Sequence, residues 1–110
     1  MSPPELLVQK QLEAYNNRDL DTFVVCFSET VCIRELRDNS VIAEGRSALR
    51  DLYQPLFEGS PDLHASLLSR IVEENVVIDH EEVRGLGEGL QRAVAIYECG
   101  ENSIDQVWFA

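Results

Sequence analysis

The chain is poor in the residue types that nucleic-acid, redox and metal chemistry draw on. Its 110 residues hold 9 basic side chains against 20 acidic ones, a formal net charge of −11, and only 2 histidines. The cationic footprint that nucleic acid or an anionic membrane surface requires is missing, so neither is expected as a partner. No apolar run approaches the ~20 residues that span a bilayer. The opening "MSPPELLVQK" shows no basic leader followed by an apolar stretch. No secretory signal is expected, and a cytoplasmic location with reduced thiols is the resulting expectation. The 3 cysteines, Cys26, Cys32 and Cys99, form an odd set without a CxxC pair, which argues against zinc or dithiol chemistry. Each sits in apolar company ("VVCF", "TVCI", "IYEC"), as small buried hydrophobes do. A phosphate-cradling loop is also lacking: "GLGEG" is acidic and precedes no helix, so it reads as a turn. Neither a cofactor nor a metal is expected.

What is present suits one soluble domain. Hydrophobic residues make up 45% and charged residues 26%, the balance of an ordinary globule. A chain of this length buries roughly 65% of its unfolded surface without disulfides or metals. Residues 1–110 are read as a single domain, with no repeat or linker.

The first helix is announced by Ser2 as cap, Pro3 in the first turn and Glu5 three residues after the cap. Val8, Leu12 and Tyr15 recur at helical spacing, and "NNRD" ends the run. Asp19 caps a second helix carrying Leu20, Phe23, Val24 and Phe27 on one stripe. From Glu29 the pattern turns to strand, with "TVCIREL" and "SVIAEG" joined by the turn-forming "RDN". "RSALRDLYQPLF" is a third helix with Leu49, Leu52, Tyr53 and Leu56 on one face, stopped at Pro55 and the following "EGSPD". Four strand candidates complete the chain: "LHASLLSRIVEE", "VVIDHEEVRGL", "LQRAVAIYEC" and "SIDQVWFA". Helices gathered before an antiparallel meander make an α+β domain, and a curved sheet under three helices leaves room for a pocket between the layers.

Three stretches carry a family resemblance over nearly the whole chain: "VQKQLEAYNNRDLDTFVVCF", "EGRSALRDLY" and the terminal "SIDQVWFA". The chain resembles the nuclear-transport-factor-2-like superfamily, on its SnoaL-like and ketosteroid-isomerase-like side. The resemblance implies a cone-shaped fold in which three N-terminal helices pack on a curved, mostly antiparallel six-strand sheet. It also implies a homodimer through the sheet face and a cavity for a small apolar or weakly polar molecule. The superfamily hosts enzymes, carriers and adaptors alike. Its isomerase branch uses a helix tyrosine and an aspartic acid as oxyanion donors, with a carboxylate base on the first strand. Laid on without gaps, the tyrosine position falls at Gln11 and the base at Glu35. The aspartic acid falls near Val94 to Ile96, which is apolar here, while Tyr53 matches a tyrosine that reaches the same cavity.

Two acid/base candidates follow. One is Glu35, whose carboxyl would have its pKa raised if buried beneath the helices; the competing reading of "IRELRDN" is a solvated hairpin end. Arg34 pointing inward would instead favour an anionic ligand. The other is "VVIDHEEVRG", with Asp79, His80 and Glu81. On a strand, Val77, Asp79, Glu81 and Val83 share one face and Ile78, His80 and Glu82 the other. Both faces are mixed, so alternation alone leaves open which one lines a pocket and which packs against a partner. His80 and Glu82 lack a third metal ligand on their own strand. Tyr15, Tyr97 and Trp108 have the spacing of core aromatics, with Tyr15 and Trp108 placed at the pocket and its mouth. His64, after "SPD", reads as an edge residue. The expected function is small-molecule binding with proton transfer of the isomerase or cyclase type, or a non-catalytic ligand-binding or dimerisation module.

Overall fold

The computed structural model describes residues 1–110. Its first helix, α1 (Pro3–Asn16), starts where Ser2 accepts a hydrogen bond from the Glu5 N–H at 3.4 Å. The Glu5 carboxylate turns away from the cap and lies 3.6 Å from Arg70. Asp19 caps α2 (Leu20–Val25) by accepting from the Thr22 N–H. Both helices bury one stripe, with Val8, Leu12, Phe23 and Val24 in the core.

Strand β1 (Phe27–Glu35) begins earlier than the sequence pattern places it and pairs with β2 (Val41–Glu44). Helix α3 (Gly45–Gly59) differs from expectation in two ways. It runs through Pro55, which lacks only the bond to a carbonyl near exposed Asp51, where water can take it. Leu52 is 41% exposed and falls off the stripe that buries Leu49 and Phe57. Strands β3 (His64–Glu73), β4 (Val76–Arg84), β5 (Gln91–Cys99) and β6 (Ile104–Phe109) follow.

The six strands form one sheet in the order β2-β1-β6-β5-β4-β3. All neighbours are antiparallel except β1 and β6. Irregularities at Ile33/Arg34, Leu67/Ser69 and Glu98/Cys99 bend the strands, as bulges do. The helices cover the concave side, giving the cone-shaped α+β architecture. The core between the layers centres on Phe23, Ile33, Leu49, Ile104 and Val107, each at most 2% exposed. Phe23 meets Tyr53 at a ring-centroid distance of 4.7 Å and Phe27 at 5.0 Å. All three cysteines are buried and free. No helix is long and apolar enough to cross a membrane.

Candidate active site

The helices do not fill the concave side of the sheet. A cavity of about 220 Å³ remains, lined by 16 residues of which 14 are hydrophobic. Helix α1 contributes Gln11, Leu12 and Tyr15; α3 contributes Tyr53 and Leu56; the sheet supplies Ile33, Ala65, Val83, Ala93, Tyr97, Val107 and Phe109. Small Ala65 and Ala93 on flanking strands are what leave the space, because no side chain reaches up from them. Glu81 is the one ionisable acid on this apolar wall.

Strand β4 places it there. Val77, Asp79, Glu81 and Val83 are buried on the concave face, while Ile78, His80 and Glu82 turn outward. The buried polar pair at 79 and 81 is explained by β3. The two-residue turn at Glu74–Asn75 sets a register that brings Arg70 opposite Asp79. Arg70 then grips Asp79 with two hydrogen bonds, Nε to Oδ1 at 2.7 Å and Nη2 to Oδ2 at 2.9 Å, and donates through Nη1 to Gln9 at 3.0 Å. Asp79 is fully buried and the Arg70 side chain is 7% exposed. This bidentate pair satisfies both charges and holds Arg70 above its ordinary pKa, chiefly through the hydrogen bonds to Asp79.

Glu81 has no such partner. It is 8% exposed, and no hydrogen bond offsets its burial. Desolvation first, and the neighbouring Asp79 charge second, push its pKa up to about 7, against a smaller opposing pull from Arg70. The carboxyl is thus poised to hold or release a proton near neutrality. Three tyrosines stand within range of its charge. Burial, reinforced by Glu81, raises Tyr15 to about 12, and it raises Tyr53 and Tyr97 above their ordinary values. All three remain phenols and hence donors at neutral pH. The Tyr97 hydroxyl accepts from Gln11 Nε2 at 3.1 Å, which fixes its orientation and leaves its proton to give.

The expected site residues therefore separate. Gln11, Tyr15, Tyr53 and Glu81 meet at the cavity. Asp79 shares their face but is consumed by Arg70, and His80 lies on the opposite face, so the expected Asp79/His80/Glu81 group does not form. Glu35 is a correction to the alignment-based expectation: it lies outside the cavity lining, and its carboxylate accepts from the Arg37 backbone N–H and from Arg37 Nη1 at 3.0 Å. It sits at the end of β1 past a bulge, and its side chain is 33% exposed. Arg34 points outward to donate to Gln106 at 3.0 Å. Trp108 lies between Val107 and Phe109, which line the cavity, and so faces the other side. Sequence reasoning missed the polar role of Tyr97 and the clamp by Arg70. The Glu74–Asn75 turn was the signal for the second, since a two-residue turn there pairs positions 70 and 79.

Residues 8–104 match the model of the SnoaL-like domain. The chain belongs to that family. No curated protein matches the chain in sequence. Among solved structures it is similar to an uncharacterized cystatin-fold protein from Novosphingobium aromaticivorans, with 24% identity and a TM-score of 0.89 over 100% of this chain and 98% of that one. A provisionally named polyketide cyclase from Sinorhizobium meliloti shares 13% identity at a TM-score of 0.80, covering 94% and 93% of the two chains. A provisionally named ketosteroid isomerase from Kribbella flavida shares 17% identity at 0.83, covering 97% and 76%. At these identities the likeness establishes the fold.

Proposed function

We propose that this SnoaL-like domain takes a small, mainly apolar molecule into the cavity and moves a proton on it, with Glu81 as acid and base. The observation that carries the reading is a carboxyl without a protein partner on an otherwise apolar wall, with a pKa near 7. Such a group accepts a proton from carbon or oxygen in its ionised form and returns it in its neutral form. The phenols of Tyr15, Tyr53 and Tyr97 supply donors for a carbonyl oxygen that gains charge as the proton leaves. Arg70 keeps Asp79 out of the chemistry. The volume of about 220 Å³ lies below the ~300–1,000 Å³ common for drug-sized ligands, so the substrate is a small ring or short-chain carbonyl compound.

Hydrogen–deuterium exchange in D2O, followed by proton NMR on a panel of small cyclic ketones, tests this. Exchange beside the carbonyl should appear for a bound ketone, rise with pH through about 7, and fall roughly 10²–10⁴-fold in Glu81→Gln. A ketone that binds equally well to both proteins and exchanges in neither would make the domain a carrier.

We also propose a homodimer formed by the outer sheet face. Ile71, Ile78, Ile96 and Trp108 stand in one register row across β3, β4, β5 and β6, and Ile71 is 62% exposed. Four large apolar side chains in one outward row are a surface that a second copy would bury. A monomer mass in sedimentation at micromolar concentration would overturn it.

A further inference from the structure

The second depression in the molecule has the opposite character to the cavity. It is an open cleft of about 440 Å³ with one hydrophobic residue among the seven that line it, and Arg18, His64 and Arg84 face into it. Four segments converge to build it: the end of α1, the α3–β3 turn, the start of β3 and the end of β4.

The cleft is rigid. Asn16 clips β3 to α1 by donating to the Ala65 carbonyl at 3.0 Å and accepting from the Ala65 N–H at 2.7 Å. Arg18, held at φ 53, donates through Nη1 to the carbonyls of Asn16 and Leu63 at 3.3 and 3.2 Å. Its guanidinium is thereby fixed with Nε and Nη2 left for another acceptor. Gly85 rests on the backbone of Asp62 and Leu63 so closely that a Cβ would lie 2.6 Å from the Leu63 nitrogen.

The distribution of charge is the second observation. Of the eight arginines, five have a carboxylate within 4.0 Å, namely Arg37, Arg46, Arg50, Arg70 and Arg92. Arg34 has the Gln106 amide. The two that remain, Arg18 and Arg84, share this cleft. In a chain with 20 acidic residues, two neighbouring arginines without a carboxylate are a local exception. Asp62 also borders the cleft but is exposed and pairs with neither. We propose that the cleft binds a small oxyanion, a carboxylate or phosphate group, held between the Arg18 and Arg84 guanidiniums with His64 as a further donor. Two planar forks and an imidazole suit the oxygens of either group.

The cleft also adjoins the cavity. Tyr15, Ala65, Val83 and Leu86 line the cavity, while Asn16, His64 and Arg84 line the cleft. One or two residues therefore separate the two sites along three segments of chain. The anion is either free or the charged end of a molecule whose apolar part occupies the cavity.

Amide NMR titrations at constant ionic strength, with inorganic phosphate, acetate and octanoate as separate probes, decide the matter. Saturable shifts at Arg18, His64 and Gly85 are expected with phosphate and acetate, weakened about tenfold in Arg84→Gln. Octanoate shifting Tyr97 and Ala93 as well would assign the anion to a cavity ligand; octanoate shifting only the cleft would make it a free ion. Arg18→Gln should act like Arg84→Gln. Should loss of its carbonyl bonds unfold the chain, exposed Arg84, which makes no other polar contact, decides alone. No saturation at tens of millimolar, or binding unchanged in Arg84→Gln, overturns the proposal. The test does not involve Glu81, so it stands or falls apart from the proton-transfer reading.

Discussion

Replacing Glu81 with glutamine should make the protein more stable above neutral pH, and the gain should vanish in acid. In the folded state the carboxyl titrates near 7 instead of 4.5. Between those values the native chain holds a proton that the unfolded chain releases. Stability conferred by the neutral form is therefore fully present below about pH 4.5 and is lost as pH rises through about 7. At about 1.4 kcal/mol per pKa unit, the ionised carboxylate at pH 8 destabilises the fold by on the order of 3 kcal/mol. Glutamine keeps the shape and cannot ionise, but its amide is also desolvated in the apolar wall, which offsets about 1–2 kcal/mol. A net gain of roughly 1–2 kcal/mol at pH 8 is expected, turning into a loss of about 1–2 kcal/mol at pH 4.5. Urea denaturation of both proteins at pH 4.5, 6, 7 and 8 gives the difference directly, because every other titrating group is common to the two. A difference that stays flat over this range would show that Glu81 titrates as an exposed glutamate does. The proposed acid/base role would fall with it.

Asp79→Asn should be costly, since it removes the charge that neutralises the buried Arg70 guanidinium and turns one of its two acceptors into an opposing donor, with only Gln9 and the more distant Glu5 as other partners. A loss of about 3 kcal/mol is expected, seen as a fall in calorimetric Tm, whereas an unchanged Tm would refute the clamp. Gly85→Ala places a methyl group 2.6 Å from the Leu63 nitrogen at φ +88, and a loss of at least about 2 kcal/mol in urea unfolding should result. Glu35→Gln removes only a half-exposed pair with Arg37. Its stability should change by less than about 1 kcal/mol, and ketone exchange should proceed at the wild-type rate; a hundredfold loss of exchange would return the base to Glu35.

Local features of the fold were legible because local residues dictate them. Ser2 and Asp19 cap helices without help from the rest of the chain, and helical spacing marked Val8, Leu12, Phe23 and Val24 as buried. Pro55 misled because a proline in a late turn removes a bond that solvent can replace. The site was harder to read. Strand β4 buries two acids on the same side as two valines, so alternation of hydrophobic and polar residues carries no orientation there. Its orientation depends on Arg70, a residue on another strand, neutralising Asp79. Gapless alignment to a related motif put Glu35 on the first strand, which it does occupy. It could not foresee that the bulge before Arg34 and the nearby Arg37 would draw the carboxylate out of the cavity. Tyr97 was read as packing because an aromatic on a strand gives no hint of a hydroxyl partner 86 residues away.

Placing β6 between β1 and β5 has a consequence for biosynthesis. During translation β1 and β2 emerge as a hairpin, and β3, β4 and β5 as a separate meander, with nothing yet to join them. The strand that unites them is the last of the six to leave the ribosome, and its parallel pairing with β1 closes a loop of some 70 residues between Glu35 and Ile104. Until then two open edges face one another across an unfilled slot, each a template for strands of other nascent chains. Closure is correspondingly slow, since a long loop must be shut before its contacts repay it. Several cavity walls, among them Val107 and Phe109, arrive with that strand. A ribosome-bound chain lacking it therefore has neither a continuous sheet nor a finished pocket.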